Sequence, residues 1–134
     1  SVRMKQHNEN AIAVSNYLSN HPKIEKVFFP GTDKRHKEIA EKQMDGFGGM
    51  MSFVIDSDIN GVKTFLKNLN LFTLAESLGG VESLIEHPAI MTHASIDPSI
   101  REKLGISETL LRISVGIEDV DDLISDLDQA LSKI

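Results

Sequence analysis

Met4, His7, Ala11, Val14 and Leu18 recur at alternating steps of three and four, so they fall on one stripe and predict a helix over the first twenty residues. Asn20, His21 and Pro22 end it, because proline cannot continue a helix. Ile24 to Phe29 is short and β-favouring and closes on Pro30-Gly31, which predicts a strand and a turn. Lys34 to Gln43 is mostly charged and predicts a short exposed helix. After Gly46, Gly48 and Gly49, Met51, Phe53 and Ile55 alternate with Met50, Ser52 and Val54. Both sets are fairly apolar, which predicts a strand buried in a sheet. Asp58 can cap a helix whose inward stripe is Ile59, Val62, Phe65, Leu66 and Leu69.

Further along, Leu71 to Leu74 predicts a strand, residues 77–80 a turn, and Val81 to Ile85 another extended piece ending near Pro88. Pro98 suits the first turn of a short helix to about Leu104, with Gly105 as its stop. Leu110 to Val115 is the clearest strand, with Leu111, Ile113 and Val115 facing one way and Arg112 and Ser114 the other. A last helix begins near Asp119 and buries Val120, Leu123, Ile124, Leu127, Leu131 and Ile134, with acids in the first turn, where the helix dipole favours them. Several connections are too short for parallel crossovers. The expected fold is α+β: a mixed or largely antiparallel sheet with helices packed on one face.

Composition changes this picture little. At 134 residues, the chain fits one domain, 1–134, and 40% hydrophobic with 25% charged residues suits a globule. No apolar run is long enough for a membrane span, no leader is signalled, and cysteine is absent, which together fit a cytoplasmic protein. Net charge is −6, and the chain has six Phe, one Tyr and no Trp, which argues against nucleic acid as a partner. Because it begins at Ser1 rather than Met, the chain is expected to be part of something longer.

The candidate chemistry is sparse. His7, His21, His36, His87 and His93 are scattered, without helical ligand spacing, so no metal site is expected. The Gly46–Gly49 loop lacks the residues that follow a phosphate cradle. Arg112 is more informative. A guanidinium in the middle of an apolar strand needs a partner. That partner is either an internal acid or the carboxylate of a ligand, which the planar fork grips at two points. Glu76-Ser77 lies at a strand end before a turn, where polar residues are either solvated or part of a site.

Three stretches carry a resemblance. They are Leu71-Phe72-Thr73-Leu74-Ala75-Glu76-Ser77-Leu78-Gly79-Gly80-Val81-Glu82-Ser83-Leu84, then Pro88-Ala89-Ile90-Met91-Thr92-His93-Ala94-Ser95, then Gly105-Ile106-Ser107-Glu108-Thr109-Leu110-Leu111-Arg112-Ile113-Ser114-Val115-Gly116-Ile117-Glu118-Asp119. With the opening helix and Val27-Phe28-Phe29-Pro30-Gly31, they resemble the C-terminal domain of the Cys/Met-metabolism pyridoxal-phosphate (PLP) enzymes, in the cystathionine γ-lyase and γ-synthase branch.

The resemblance implies the small domain of a fold type I enzyme. In that family a large domain carries the Schiff-base lysine in a Ser-x-Thr-Lys motif. None of the ten lysines here has that context, so no catalytic or cofactor-binding residue is expected within the chain, and this piece alone is expected to be inactive. The implied substrate-side residues are Arg112, as clamp for the substrate α-carboxylate, and Ser77, beside the cofactor lysine and that carboxylate. Glu76 is implied to tune γ- against β-specificity, and Thr92 to support the pocket. The β-lyases of the family tend to read Ser-Trp-Gly-Gly, so Leu78 after Ser77 leans toward the γ-class. The implied parent is a cytoplasmic homotetramer that uses PLP for α,γ-elimination or γ-replacement on cystathionine or homoserine esters. The alternative expectation is a free-standing amino-acid-binding regulatory module without catalysis.

Overall fold

The computed structural model describes residues 1–32 and 37–134. In chain order the elements are α1 (Val2–Ser19), β1 (Ile24–Phe28), α2 (Lys37–Gln43), β2 (Met50–Ile55), α3 (Ile59–Lys67), β3 (Thr73–Leu74), β4 (Leu84–Glu86), α4 (Pro98–Lys103), β5 (Leu110–Ser114) and α5 (Val120–Leu131). The start of the predicted Lys34–Gln43 helix lies outside the described residues, as does His36.

Five strands form one mixed sheet in the order β1-β2-β5-β4-β3. All neighbours are antiparallel except β3 and β4. That parallel pair matches only Thr73 with Leu84 and Leu74 with Ile85, so the loop at 75–83 closes it without a crossover helix. The expected α+β architecture is present. Met51, Phe53 and Ile55 of β2 and Leu111 and Ile113 of β5 point into one core with Ala11, Val14 and Leu18 of α1, Val62 and Phe65 of α3, and Leu123, Leu127 and Leu131 of α5. Phe65 meets Phe53 edge to face, with centroids 6.2 Å apart. The opposite face of β2, with Met50, Ser52 and Val54, is only half-buried. The strand is therefore not enclosed on both sides as its apolar run predicts.

Long-range polar contacts explain where elements stop short of expectation. The predicted 71–74 strand shrinks to two residues because the Asp126 carboxylate takes the backbone N–H groups of Asn70, Leu71 and Phe72 away from any ladder. The predicted 81–85 strand shifts to 84–86. Ser83 gives its backbone N–H and its hydroxyl to the Glu118 carboxylate, and Val81 accepts from the Ile117 N–H. Met4 leaves the α1 stripe: it is 50% exposed and lines an open groove with Met44 and Gly48. Asp58 caps α3 as predicted, and Asp119, where the last helix was expected to begin, caps α5; each accepts two backbone N–H groups. No helix among the described residues is long and apolar enough to cross a membrane.

Candidate carboxylate-binding site

Register places four side chains in one row across the sheet face that lies opposite the core. Phe28 of β1 pairs with Ser52 of β2, Ser52 with Arg112 of β5, and Arg112 with Glu86 of β4. Period-two alternation puts Arg112 here, because Leu111 and Ile113 on either side are fully buried in the core. The Arg112 Nη2 lies 2.5 Å from Glu86 Oε2. The Glu86 side chain is 1% exposed and that of Arg112 is 25% exposed. The acid that a strand-bound arginine needs is therefore inside the chain.

The contact is close but not well aligned, and neither Glu86 oxygen makes a directed hydrogen bond. The carboxylate depends on the charge of Arg112. Breaking a fully buried pair costs about 3–5 kcal/mol, and solvent at the partly open arginine lowers that figure. The guanidinium is not sealed off: with Phe28, Met50 and Ser52 it borders a shallow depression of about 180 Å³. Among the described residues, Arg112 Nε and Nη1 have no hydrogen-bond acceptor.

The second part of the site is the loop between β3 and β4. Arg112 Nη2 donates to the Glu76 carbonyl at 3.1 Å, and the Gly79 N–H donates to Ser114 Oγ at 2.8 Å. Gly79 has φ +76°, a left-handed conformation that a side chain would strain. The loop is thus tacked over β5 at both ends, and the side chains of Glu76, Ser77 and Leu78 between or beside the tacks are exposed. The structure brings Arg112 together with the backbone of the Glu76–Gly79 turn. The Thr92 hydroxyl is exposed, 2.8 Å from His93 Nδ1 in the turn after β4.

Sequence reasoning missed Glu86 and Ser114. The signal for Glu86 was present, since it breaks the apolar run Leu84-Ile85 at the same parity as Leu84. His87, next in the chain to Glu86, is fully buried, and its Nε2–H donates to the Glu108 carbonyl at 2.7 Å. Desolvation lowers the His87 pKa below its ordinary 6.5, so the ring stays neutral.

A family model described as Cys/Met metabolism PLP-dependent enzyme matches residues 1–132. The chain belongs to this family. Cystathionine gamma-lyase of Dictyostelium discoideum is 54% identical over 133 residues, covering 98% of this chain and 34% of the relative. Cystathionine beta-lyase of Coxiella burnetii is 53% identical over 132 residues, with 98% and 34% covered. A crystal structure of cystathionine gamma synthase from Xanthomonas oryzae pv. oryzae, in complex with aminoacrylate and cysteine, superposes with a TM-score of 0.93 at 47% identity, covering 98% of this chain and 34% of that one. The fold is therefore that of a portion of the Cys/Met PLP enzymes, and the chain spans about a third of the length of the relatives it matches.

This family depends on PLP, whose Schiff base needs a lysine amine. Lys26 shares the outer sheet face with Phe28, but it is exposed, with its Nζ 4.5 Å from the Phe28 ring centroid. Lys23 gives its ammonium to the carbonyls of Leu131 and Ile134, on the core's far edge. A Schiff-base amine is instead desolvated beside its cofactor. The donor set around Arg112 suits a carboxylate.

Proposed function

We propose that this chain is the C-terminal, substrate-side domain of a PLP-dependent enzyme acting on cystathionine or a related amino acid, and that Arg112 binds the substrate α-carboxylate. The observation that carries the reading is the partly open guanidinium on a central strand, with Nε and Nη1 turned to no protein acceptor among the described residues. A fork on a rigid strand holds a carboxylate at a fixed angle. That fixes which bond at the substrate Cα is presented to the cofactor, and it is catalysis by positioning. PLP supplies the electron sink when bound, and the large domain that holds it lies outside this chain.

Ser77 offers its exposed hydroxyl at the tip of the tacked loop, beside the carboxylate. Glu76 and Leu78 flank the approach of the distal part of the substrate, and the Glu76-Ser77-Leu78 sequence favours γ-chemistry, by elimination or replacement. Thr92 supports the same pocket. By the same resemblance the parent is a cytoplasmic homotetramer.

In the full-length enzyme, Arg112→Ala is expected to lower kcat/KM for L-cystathionine by about 3 kcal/mol, more than a hundredfold, as for a charged two-point grip lost. Steady-state kinetics with an unchanged kcat/KM would overturn the clamp. Calorimetric binding of L-cystathionine to the 134-residue chain alone would favour a stand-alone binding module instead.

A further inference from the structure

We infer that Glu86 is a positioning residue for Arg112, and that the substrate carboxylate takes the place now filled by the Glu76 carbonyl oxygen. This rests on the clamp reading above and adds a residue to it.

The argument starts from the shape of the guanidinium. It offers two edges for a two-point grip, Nε with Nη2 and Nη1 with Nη2, so Nη2 belongs to both. In this structure Nη2 is the nitrogen already engaged, by Glu86 Oε2 at 2.5 Å and by the Glu76 carbonyl at 3.1 Å. A carboxylate can be held at two points only if one of these contacts yields.

The two contacts are unequal. Glu86 is 1% exposed and has no directed hydrogen bond, so withdrawing Nη2 would strand a buried charge. The Glu76 carbonyl is a neutral acceptor in an exposed loop, where water can replace Arg112. The carbonyl therefore yields. One carboxylate oxygen of the substrate replaces it on Nη2, and the other meets the neighbouring nitrogen. Glu86 stays in place and fixes the rotation of the fork, and so the edge that faces the substrate. The desolvated acid is thus part of the binding apparatus although it touches no substrate atom.

The test uses the full-length PLP-loaded enzyme with Glu86→Gln, Arg112→Lys and the double variant. Glu86→Gln keeps the shape and removes the charge. KM for L-cystathionine is expected to rise about tenfold with kcat within about threefold of wild type, since an orienting contact for binding is lost. Calorimetry with L-norleucine, which has no leaving group, is expected to show a similar loss of affinity, and L-norleucine methyl ester none. Because Glu86 acts through Arg112, the double variant is expected to match Arg112→Lys alone.

An unchanged or lowered KM in Glu86→Gln, with Arg112→Lys impaired, overturns the role of Glu86 and leaves the clamp standing. A lowered KM would mark Glu86 as a competitor of the substrate. An unimpaired Arg112→Lys, by contrast, overturns the clamp itself. Should Glu86→Gln not fold, Glu86→Asp, which keeps the charge but withdraws it by one methylene, must show the same KM rise, and a wild-type KM there refutes the inference.

Discussion

Arg112 and Ser114, neighbours on one face of β5, hold the two ends of a single turn: Arg112 donates to the Glu76 carbonyl and Ser114 accepts from the Gly79 N–H. The i, i+2 spacing of a strand is what lets both reach the same loop. Ser114 is 3% exposed, so its hydroxyl is a buried acceptor and not a surface one. In Ser114→Ala the Gly79 N–H loses its partner. The expected stability loss is about 1 kcal/mol by urea denaturation of this chain. In the full-length enzyme the looser turn is expected to raise KM for L-cystathionine by about threefold, which the same 0.5–1 kcal/mol scale implies. Wild-type values of both would show that the turn is held by other means.

Much of this arrangement was legible in the chain. Alternation around Leu111 and Ile113 placed Arg112 and Ser114 on the outer face, because a strand's period leaves no other choice. Asp58 was read as a cap, and the last helix was started near Asp119, because such end signals are local. What was not legible is set by contacts across long sequence separations. Nothing near Leu71 announces that Asp126, on the last helix, will take its N–H. Glu86 stands out only as a break in an apolar run, and its partner is not visible until β4 is laid antiparallel to β5 and brings it opposite Arg112.

Asp126 is the anchor of the segment that leads into β3. Its Oδ1 accepts from the Asn70 N–H at 2.8 Å, and its Oδ2 from Leu71 at 2.8 Å and Phe72 at 3.2 Å. Burial pushes its pKa up, but these backbone donors outweigh burial and hold it below the ordinary 3.8. A carboxyl depressed by folding stabilises the fold above its unfolded value and loses that contribution as pH falls through the folded one. Asp126→Asn sets an amide donor against N–H donors and is expected to cost about 2 kcal/mol at neutral pH. The gap between wild type and variant, from urea midpoints, should stay constant from about pH 7 to 5 and close below about pH 4, near the unfolded value. A gap that persists into strong acid would show that the carboxylate's charge contributes nothing.

His87 adds a second loss of stability in acid, from a base that folding keeps neutral. It is fully buried beside Glu86, donates from Nε2 to the Glu108 carbonyl, and has a buried Nδ1 without a hydrogen-bond partner. Protonation would place a donor and a charge at Nδ1, and desolvation accordingly lowers the pKa from 6.5. Above that value both folded and unfolded chains carry a neutral ring, and pH has no effect through this group. Below it the unfolded chain takes up protons ahead of the folded one, so stability falls with falling pH until the folded ring also titrates. His87→Gln keeps a donor for Glu108 and removes the titration. Urea midpoints at about pH 7.5, 6.5 and 5.5, either side of the unfolded value, should therefore show wild type losing its advantage over the variant as the solution becomes acidic. His21, whose pKa burial also lowers, is present in both proteins and cancels in the difference. A difference that does not change with pH would mean that the buried ring accepts a proton as readily as the unfolded one.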